Sequence, residues 1–276
     1  MTFPIAHAKA QRREGPCGRP PEKNFAALRL CVIFLLLSFS VGATAQTNTL
    51  SDAEIQGRQL AQKLCDAQPT ENFTNSGFLK IHRMKGDWIN YPIKCEVIIT
   101  PTNWQSIYEA IGIARFVVIH TTSQLNKYFY YPLIGDGPIP LSLFQSESRS
   151  NGLASADLSF PFNGSDFWLG DLGLEFFHWP QQKVLKKEFH RQCACIVLES
   201  TNPNPTTNSY SRVVSWIDEE SLGIVEAYAY DAKGKQLKDF YPKDFKKVNG
   251  QYQLQSMIME NVQTKSRTRL EFDLKK

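Results

Sequence analysis

The chain has 276 residues, with 31 Lys/Arg against 27 Asp/Glu and a formal net charge of +4. Six of the basic residues and two of the acids fall in residues 1–45, which leaves 25 of each sign beyond them. A charge-balanced remainder with no basic run longer than two residues excludes an electrostatic case for nucleic-acid binding.

In chain order, Arg29 precedes the apolar run LCVIFLLLSFSV, and Ala43-Thr44-Ala45 follows with small residues at alternate positions. A basic flank, a short apolar core and an A-x-A end predict a secretory signal peptide cleaved after Ala45. The run is shorter than the roughly 20 residues that span a bilayer, so cleavage should leave no stable transmembrane anchor. The stretch before it is long, basic and rich in Pro and Gly: either a genuine extension or the result of a start codon placed too early. Cys31 opens the apolar run rather than following it, so nothing marks a lipidated N-terminus. Residues 46–276 are expected to form a single domain, long enough for a substantial core.

Ser51-Asp52-Ala53-Glu54 has the form of a capping box, with Leu50 and Ile55 placed as a hydrophobic staple. Leu60, Ala61, Leu64 and Cys65 recur at three and four, so a helix is predicted over about 52–67. From Phe73 the period changes to two. SGFLKIHRMKGDW and YPIKCEVIIT read as strands, WQSIYEAI is ambiguous between helix and strand, and FVVIHTT is β-branched and strand-like. Residues 131–163 predict an irregular excursion broken by short strands. Beyond it LEFFHW, ACIVLES, SRVVSWIDE, IVEAYAYDAKGKQLKDF, YQLQSMIMENVQT and SRTRLEFDL alternate, with turns at Asp231-Ala232-Lys233-Gly234 and Val248-Asn249-Gly250. Short strands joined by local turns predict a meandering antiparallel sheet. Ile196 opposes Val197 and Val213 opposes Val214, so the second face must also be covered, by the helix or by a cavity for an apolar ligand.

Beyond the leader, Cys65, Cys95, Cys193 and Cys195 remain in a compartment that permits disulfides. Cys193 and Cys195 share a strand face and sit too far apart to bridge easily. If bridges form, each should pair with Cys65 or Cys95; otherwise the thiols are small buried apolar groups.

The search for chemistry yields little. His82, His120, His178 and His190 are isolated, and neither a metal-binding His spacing, a nucleophile elbow nor a phosphate loop is present. Asp166 and Asp171 match a carboxylate pair only as any two loop acids would. An enzyme would need at least two of Asp166, Asp171, His178 and His190 to converge in a cleft. No catalytic residue, metal ligand or cofactor is assigned. Aromatics are the conspicuous surplus, and Phe176, Trp179, Trp216 and Tyr228 are candidates for the wall of an apolar cavity, or else simply for a closed core.

From GSDFWLGDL through CACIVLES, YSRVVSWIDEESLGIVEAYAYDAKGKQLKDF and VNGQYQLQSMIMENVQTKSRTRLEFD, the chain resembles the LolA-like periplasmic proteins of outer-membrane lipoprotein sorting. The resemblance spans roughly residues 50–276 and is strongest from Gly164 on. It implies a mainly β fold: a curved, incompletely closed antiparallel sheet, a half-barrel, with a few helices packed over its concave face. It also implies a periplasmic carrier or chaperone for a lipid, lipoprotein acyl chains or another apolar ligand, with envelope proteins as partners. The family's acidic turn maps to Asp166, Phe167, Asp171 and Leu172 and its strand aromatic to Trp216, none of them catalytic in that pattern. The segment carrying the N-terminal tryptophan and functional arginine of the well-studied carriers has no counterpart; Arg83 lacks the surrounding motif. The alternative is a non-catalytic envelope interaction or assembly module with a closed aromatic core. On either reading Gly164–Gly173 is a connection in which Asp166 and Asp171 fasten a turn.

Overall fold

The computed structural model describes residues 50–132, 158–248 and 251–274. The signal peptide, most of the excursion after Pro132 and the Asn249-Gly250 turn lie outside the described residues.

Helix α1 (Asp52–Cys65) begins at Ser51, whose Oγ accepts from Glu54 N–H while the Glu54 carboxylate accepts from Ser51 N–H at 2.8 Å. Both halves of the capping box are therefore made. Gly57, Leu60, Ala61 and Leu64 form its buried stripe.

Twelve strands follow: β1 (Phe73–His82), β2 (Ile89–Ile99), β3 (Trp104–Ala110), β4 (Ala114–His120), β5 (Lys127–Pro132), β6 (Gln181–His190), β7 (Cys193–Thr201), β8 (Arg212–Asp218), β9 (Ile224–Tyr230), β10 (Gln236–Val248), β11 (Gln251–Asn261) and β12 (Ser266–Phe272). They form one antiparallel sheet in the order β5-β4-β3-β2-β1-β12-β11-β10-β9-β8-β7-β6. The sheet does not close: β5 and β6 are its edges. Register shifts in β6, β9 and β10 add local bends, as bulges do. The result is a LolA-like half-barrel.

This order explains where the irregular residues go. The chain meanders from the centre at β1 to one edge at β5, then reappears at the opposite edge in β6 and meanders back to β12 beside β1. The segment between the edges packs on the concave face. Its Phe162, Phe167, Leu169, Leu172, Phe176 and Phe177 belong to the same core cluster as Ile93, Tyr108, Phe116, Val213, Phe240 and Met257 of the sheet. α1 lies on β6, and a Cβ added at Gly57 would stand 2.5 Å from the Lys183 backbone nitrogen.

The structure settles one ambiguous stretch, adds a strand and overturns another. WQSIYEA is strand β3. QQKVLKKEFH, whose lysines interrupt an apolar alternation, is edge strand β6. LEFFHW is not a strand: Leu174 takes φ 51°, and Glu175–His178 form a 3-10 turn. A strand would send Phe176 and Phe177 to opposite faces, whereas the turn buries both against the sheet.

The two-sided apolar strands are covered on both faces, with α1 and the inter-edge segment packed on the concave one. On the outer face the cross-strand neighbours of Val197 and Val214 are Trp216 and Tyr228. Large aromatic bodies beside small β-branched residues leave those two valines buried.

Candidate functional site

The site is built by the segment Leu158–Pro180 where it crosses the concave face. Pro161 and Trp168 form an isolated antiparallel bridge, and Phe162 N–H donates to Phe167 C=O at 2.8 Å. Gly164, at φ +69°, occupies the left-handed position at the tip of this turn. Asp166 accepts from Thr268 Oγ at 2.8 Å and from Ser266 Oγ, and its own N–H donates to Thr268 Oγ at 2.9 Å. The turn is thus tied to β12 through one buried carboxylate, and Phe167 packs edge-on against Phe240 of β10.

Helical turn α2 (Leu169–Leu172) carries Asp171, which is a hub. Its carboxylate accepts from Trp168 N–H at 2.7 Å, from Tyr210 OH at 3.0 and 3.1 Å, and from Lys238 Nζ at 3.2 Å. Lys238 Nζ also lies 3.7 Å from the Trp168 ring centroid, and Trp168 stacks on Tyr210 at 4.3 Å. Burial lowers the Lys238 ammonium to about 8, opposed by the Asp171 charge.

Residues Glu175–His178 follow, pinned by a side chain that sequence reasoning passed over. Gln182 of β6 donates its amide to the carbonyls of Phe176 and Trp179, both at 2.9 Å, and its oxygen accepts from Ser200 Oγ at 2.7 Å. Phe176 C=O also accepts from Trp179 N–H at 3.4 Å, and Gln182 adds a second donor there while meeting the Trp179 carbonyl at the end of the turn.

Between this segment, Leu125 and the 202–210 loop lies a cavity of about 360 Å³. Trp168, Phe176, Trp179 and Tyr210 give it aromatic walls, and Asp171, Glu175 and His178 also reach it. Glu175 Oε accepts from Tyr128 OH at 2.5 Å, and burial raises its carboxyl to about 6. Burial likewise lowers the His178 imidazole, which favours its neutral form. Three further spaces on the concave face are smaller: about 20 Å³ beside Leu64 and Trp104, about 20 Å³ beside Lys238 and Met259, and about 40 Å³ beside Cys95 and Phe272.

Of the four aromatics singled out in the sequence, Phe176 and Trp179 line this cavity; Trp216 and Tyr228 do not. The strand period decides it. Val213, Ile217, Ala227 and Ala229 face the concave core, so Trp216 and Tyr228 between them face outward. There Trp216 Nε1 donates to Glu188 at 2.7 Å and its ring stacks on His190 at 4.9 Å. Trp168, Tyr210 and Glu175 take the vacated places on the wall.

Asp171 and His178 do share the cavity, the convergence that catalysis would require. Both Asp171 oxygens are already engaged, and among the described residues no hydrogen bond joins His178 to a hydroxyl, thiol or carboxylate. Nor does any group of three His, Cys, Asp or Glu among them stand ready for a metal. The four cysteines among the described residues are free thiols. Cys95 on β2 faces the concave core, and Cys193 and Cys195 lie on β7 with six strands between. No described helix is long and apolar enough to cross a membrane.

Solved structures share this fold. A DUF1329-family protein from Desulfovibrio piger aligns over 81% of this chain and 92% of its own at TM-score 0.58 and 16% identity. A domain named for outer membrane lipoprotein sorting, from Vibrio parahaemolyticus, aligns over 80% and 92% at TM-score 0.59 and 21% identity. A LolA superfamily protein from Nitrosomonas europaea aligns over 81% and 93% at TM-score 0.50 and 15% identity. A family model described as "uncharacterized protein" matches residues 144–275. The curated proteins contain no match. Identities this low establish the half-barrel architecture and leave the activity to be argued from the site.

Proposed function

We propose that this protein is a non-enzymatic carrier that holds an apolar ligand, a lipid or lipoprotein acyl chain, in the cavity over its concave face. The observation that carries this reading is the cavity itself: about 360 Å³ with Trp168, Phe176, Trp179 and Tyr210 on its walls. That volume falls within the range of small-molecule sites, which are mostly apolar with a few placed polar groups. The half-barrel shared with a domain named for outer membrane lipoprotein sorting, from Vibrio parahaemolyticus, supports a carrier reading. The carrier would work in the periplasm after cleavage behind Ala45, exchanging cargo with envelope proteins.

The alternative, an interaction module with a filled core, draws on the other described spaces of the concave face, which are about 20–40 Å³. Mass spectrometry of organic extracts from protein purified out of its native envelope separates the two. A lipid retained at near-stoichiometric amount, and lost when Trp179→Ala is introduced, is the carrier outcome. Extracts at background level from a correctly folded protein would defeat it.

A further inference from the structure

The walls of the cavity carry a charge pattern that narrows its ligand, and the argument rests on the carrier reading above. Among the described residues no Lys or Arg lines the cavity. Lys238, whose ammonium packs against Trp168 and Tyr210 of the wall, has a side chain only 2% exposed and is matched by Asp171. Glu175 stands on the wall with a tyrosine hydroxyl as its partner and no basic side chain paired with it among the described residues. An anionic head group entering here would meet a carboxylate and no counter-charge. A cationic one would meet that carboxylate within a box of Trp and Tyr rings, whose faces attract ammonium groups.

We propose that the cavity selects amphiphiles bearing an ammonium group, with Glu175 as counter-ion and Trp168, Trp179 and Tyr210 as the aromatic surround. The apolar tail lies along Leu158, Phe176 and Pro180. Several groups face Glu175 and set its behaviour. Tyr128 from β5 donates to it, and Cys65 of α1 is close enough to feel its charge. His178 lies on its own turn and lines the same cavity, near Asp66 of α1; the Asp171–Lys238 pair contributes no net charge. Between pH 5 and 7.5 Glu175 is the wall carboxylate that changes charge; burial favours neutral His178, and Lys238, at about 8, starts to lose its proton only toward the upper end, which shifts the wall the same way. Its carboxyl, raised to about 6, is ionised above that pH, so the preference for cations should be present at pH 7.5 and fade below pH 6.

The test uses tryptophan fluorescence, with dodecyltrimethylammonium, dodecyl sulfate and dodecyl maltoside titrated below their micelle concentrations. The cation should bind about tenfold tighter than the maltoside, and the sulfate weaker than both. In Glu175→Gln the ratio of cation to maltoside affinity should fall from about ten to about one. If Glu175→Gln fails to fold, the same ratio measured in the natural protein at pH 7.5 and pH 5 reads the same carboxylate. Dodecylphosphocholine separates the sources of the ammonium: binding like the simple cation assigns it to a zwitterionic phospholipid, and binding like the maltoside to a free amine. Equal affinity for the three probes, or sulfate tightest, overturns the selectivity while leaving the carrier reading standing. No binding of any probe overturns both.

Discussion

Lys238 Nζ and Asp171 Oδ2 meet at 3.2 Å with their side chains only 2% and 5% exposed. This pair joins the inter-edge segment to the middle of the sheet, with Trp168 and Tyr210 packed around it. An ion pair so deeply buried is held by geometry as much as by attraction, because desolvation offsets much of the Coulomb gain. What it provides is a fixed seat for the cavity wall.

Breaking the pair from one side should therefore cost more than removing it whole. Asp171→Ala strands a buried ammonium and takes the acceptor from Trp168 N–H and Tyr210 OH, and should destabilise by about 3–5 kcal/mol. Adding Lys238→Met to that variant removes the stranded charge, so the double variant should be more stable than Asp171→Ala alone. Urea unfolding of the single and double variants measures this coupling. Strictly additive losses would mean that the two side chains do not depend on each other.

Glu175 makes the opposite kind of prediction. Its carboxyl is raised to about 6 from an ordinary value of 4.5, so the folded state holds that proton more tightly than the unfolded chain does. The associated stability is fully present below pH 4.5 and is lost as pH rises through 6, a change of about 1–2 kcal/mol. Glu175→Gln should consequently raise the melting temperature at pH 7.5 and make little difference at pH 4. A carboxylate that costs stability at neutral pH is what a binding group, rather than a structural one, would look like. Thermal unfolding of both proteins across pH 4–8 checks the sign, and a loss of stability at pH 7.5 would contradict it.

The sequence makes some of this architecture legible and hides the rest for identifiable reasons. The capping box at Ser51 and the alternation through β7–β12 depend on neighbours a few residues apart, and both can be read directly. LEFFHW misleads because a four-residue aromatic run has no period long enough to separate a strand from a buried turn, and its conformation is fixed by Gln182 from the next strand. Trp216 and Tyr228 look like cavity residues until the phase of β8 and β9 is known; one register step sends them to the outer face. Lys238 left a usable signal, a cation two positions from Phe240 on the inward phase of β10, which implies a buried partner. The cavity leaves none, since Leu125, Glu175 and Tyr210 come together only through the crossing between the two edges of the sheet.

That crossing ends where α1 rests on β6, and the contact is close enough to exclude a methyl group. A Cβ at Gly57 would lie 2.5 Å from Lys183 N and 2.6 Å from Gln182 C, both backbone atoms that cannot rotate away. In a free helix Gly→Ala is favourable by up to about 1 kcal/mol, so the direction of the effect separates packing from propensity. Gly57→Ala should destabilise by about 1–3 kcal/mol as the helix is forced off the strand. Because the displaced backbone includes Gln182, whose amide holds Phe176 and Trp179, detergent binding should weaken in parallel. A stabilised Gly57→Ala protein would show that α1 is not seated on β6.

The cysteines test the strand phases independently. Cys95 and Cys195 are buried, and burial pushes their thiols to about 12 and about 11. Cys65 is half-buried at the end of α1, and burial raises it to about 12 as well. Cys193 is half-buried, on the hairpin beside His190, with a smaller upward displacement. Thiolate is the reactive form, so iodoacetamide at pH 8 should modify Cys193 first, with the other three requiring denaturant. Peptide mass spectrometry after brief labelling, without reductant, reads the order directly. Early labelling of Cys95 would place it outside the concave core, and a mass 2 Da below the reduced chain would instead reveal a disulfide that free thiols at these positions exclude.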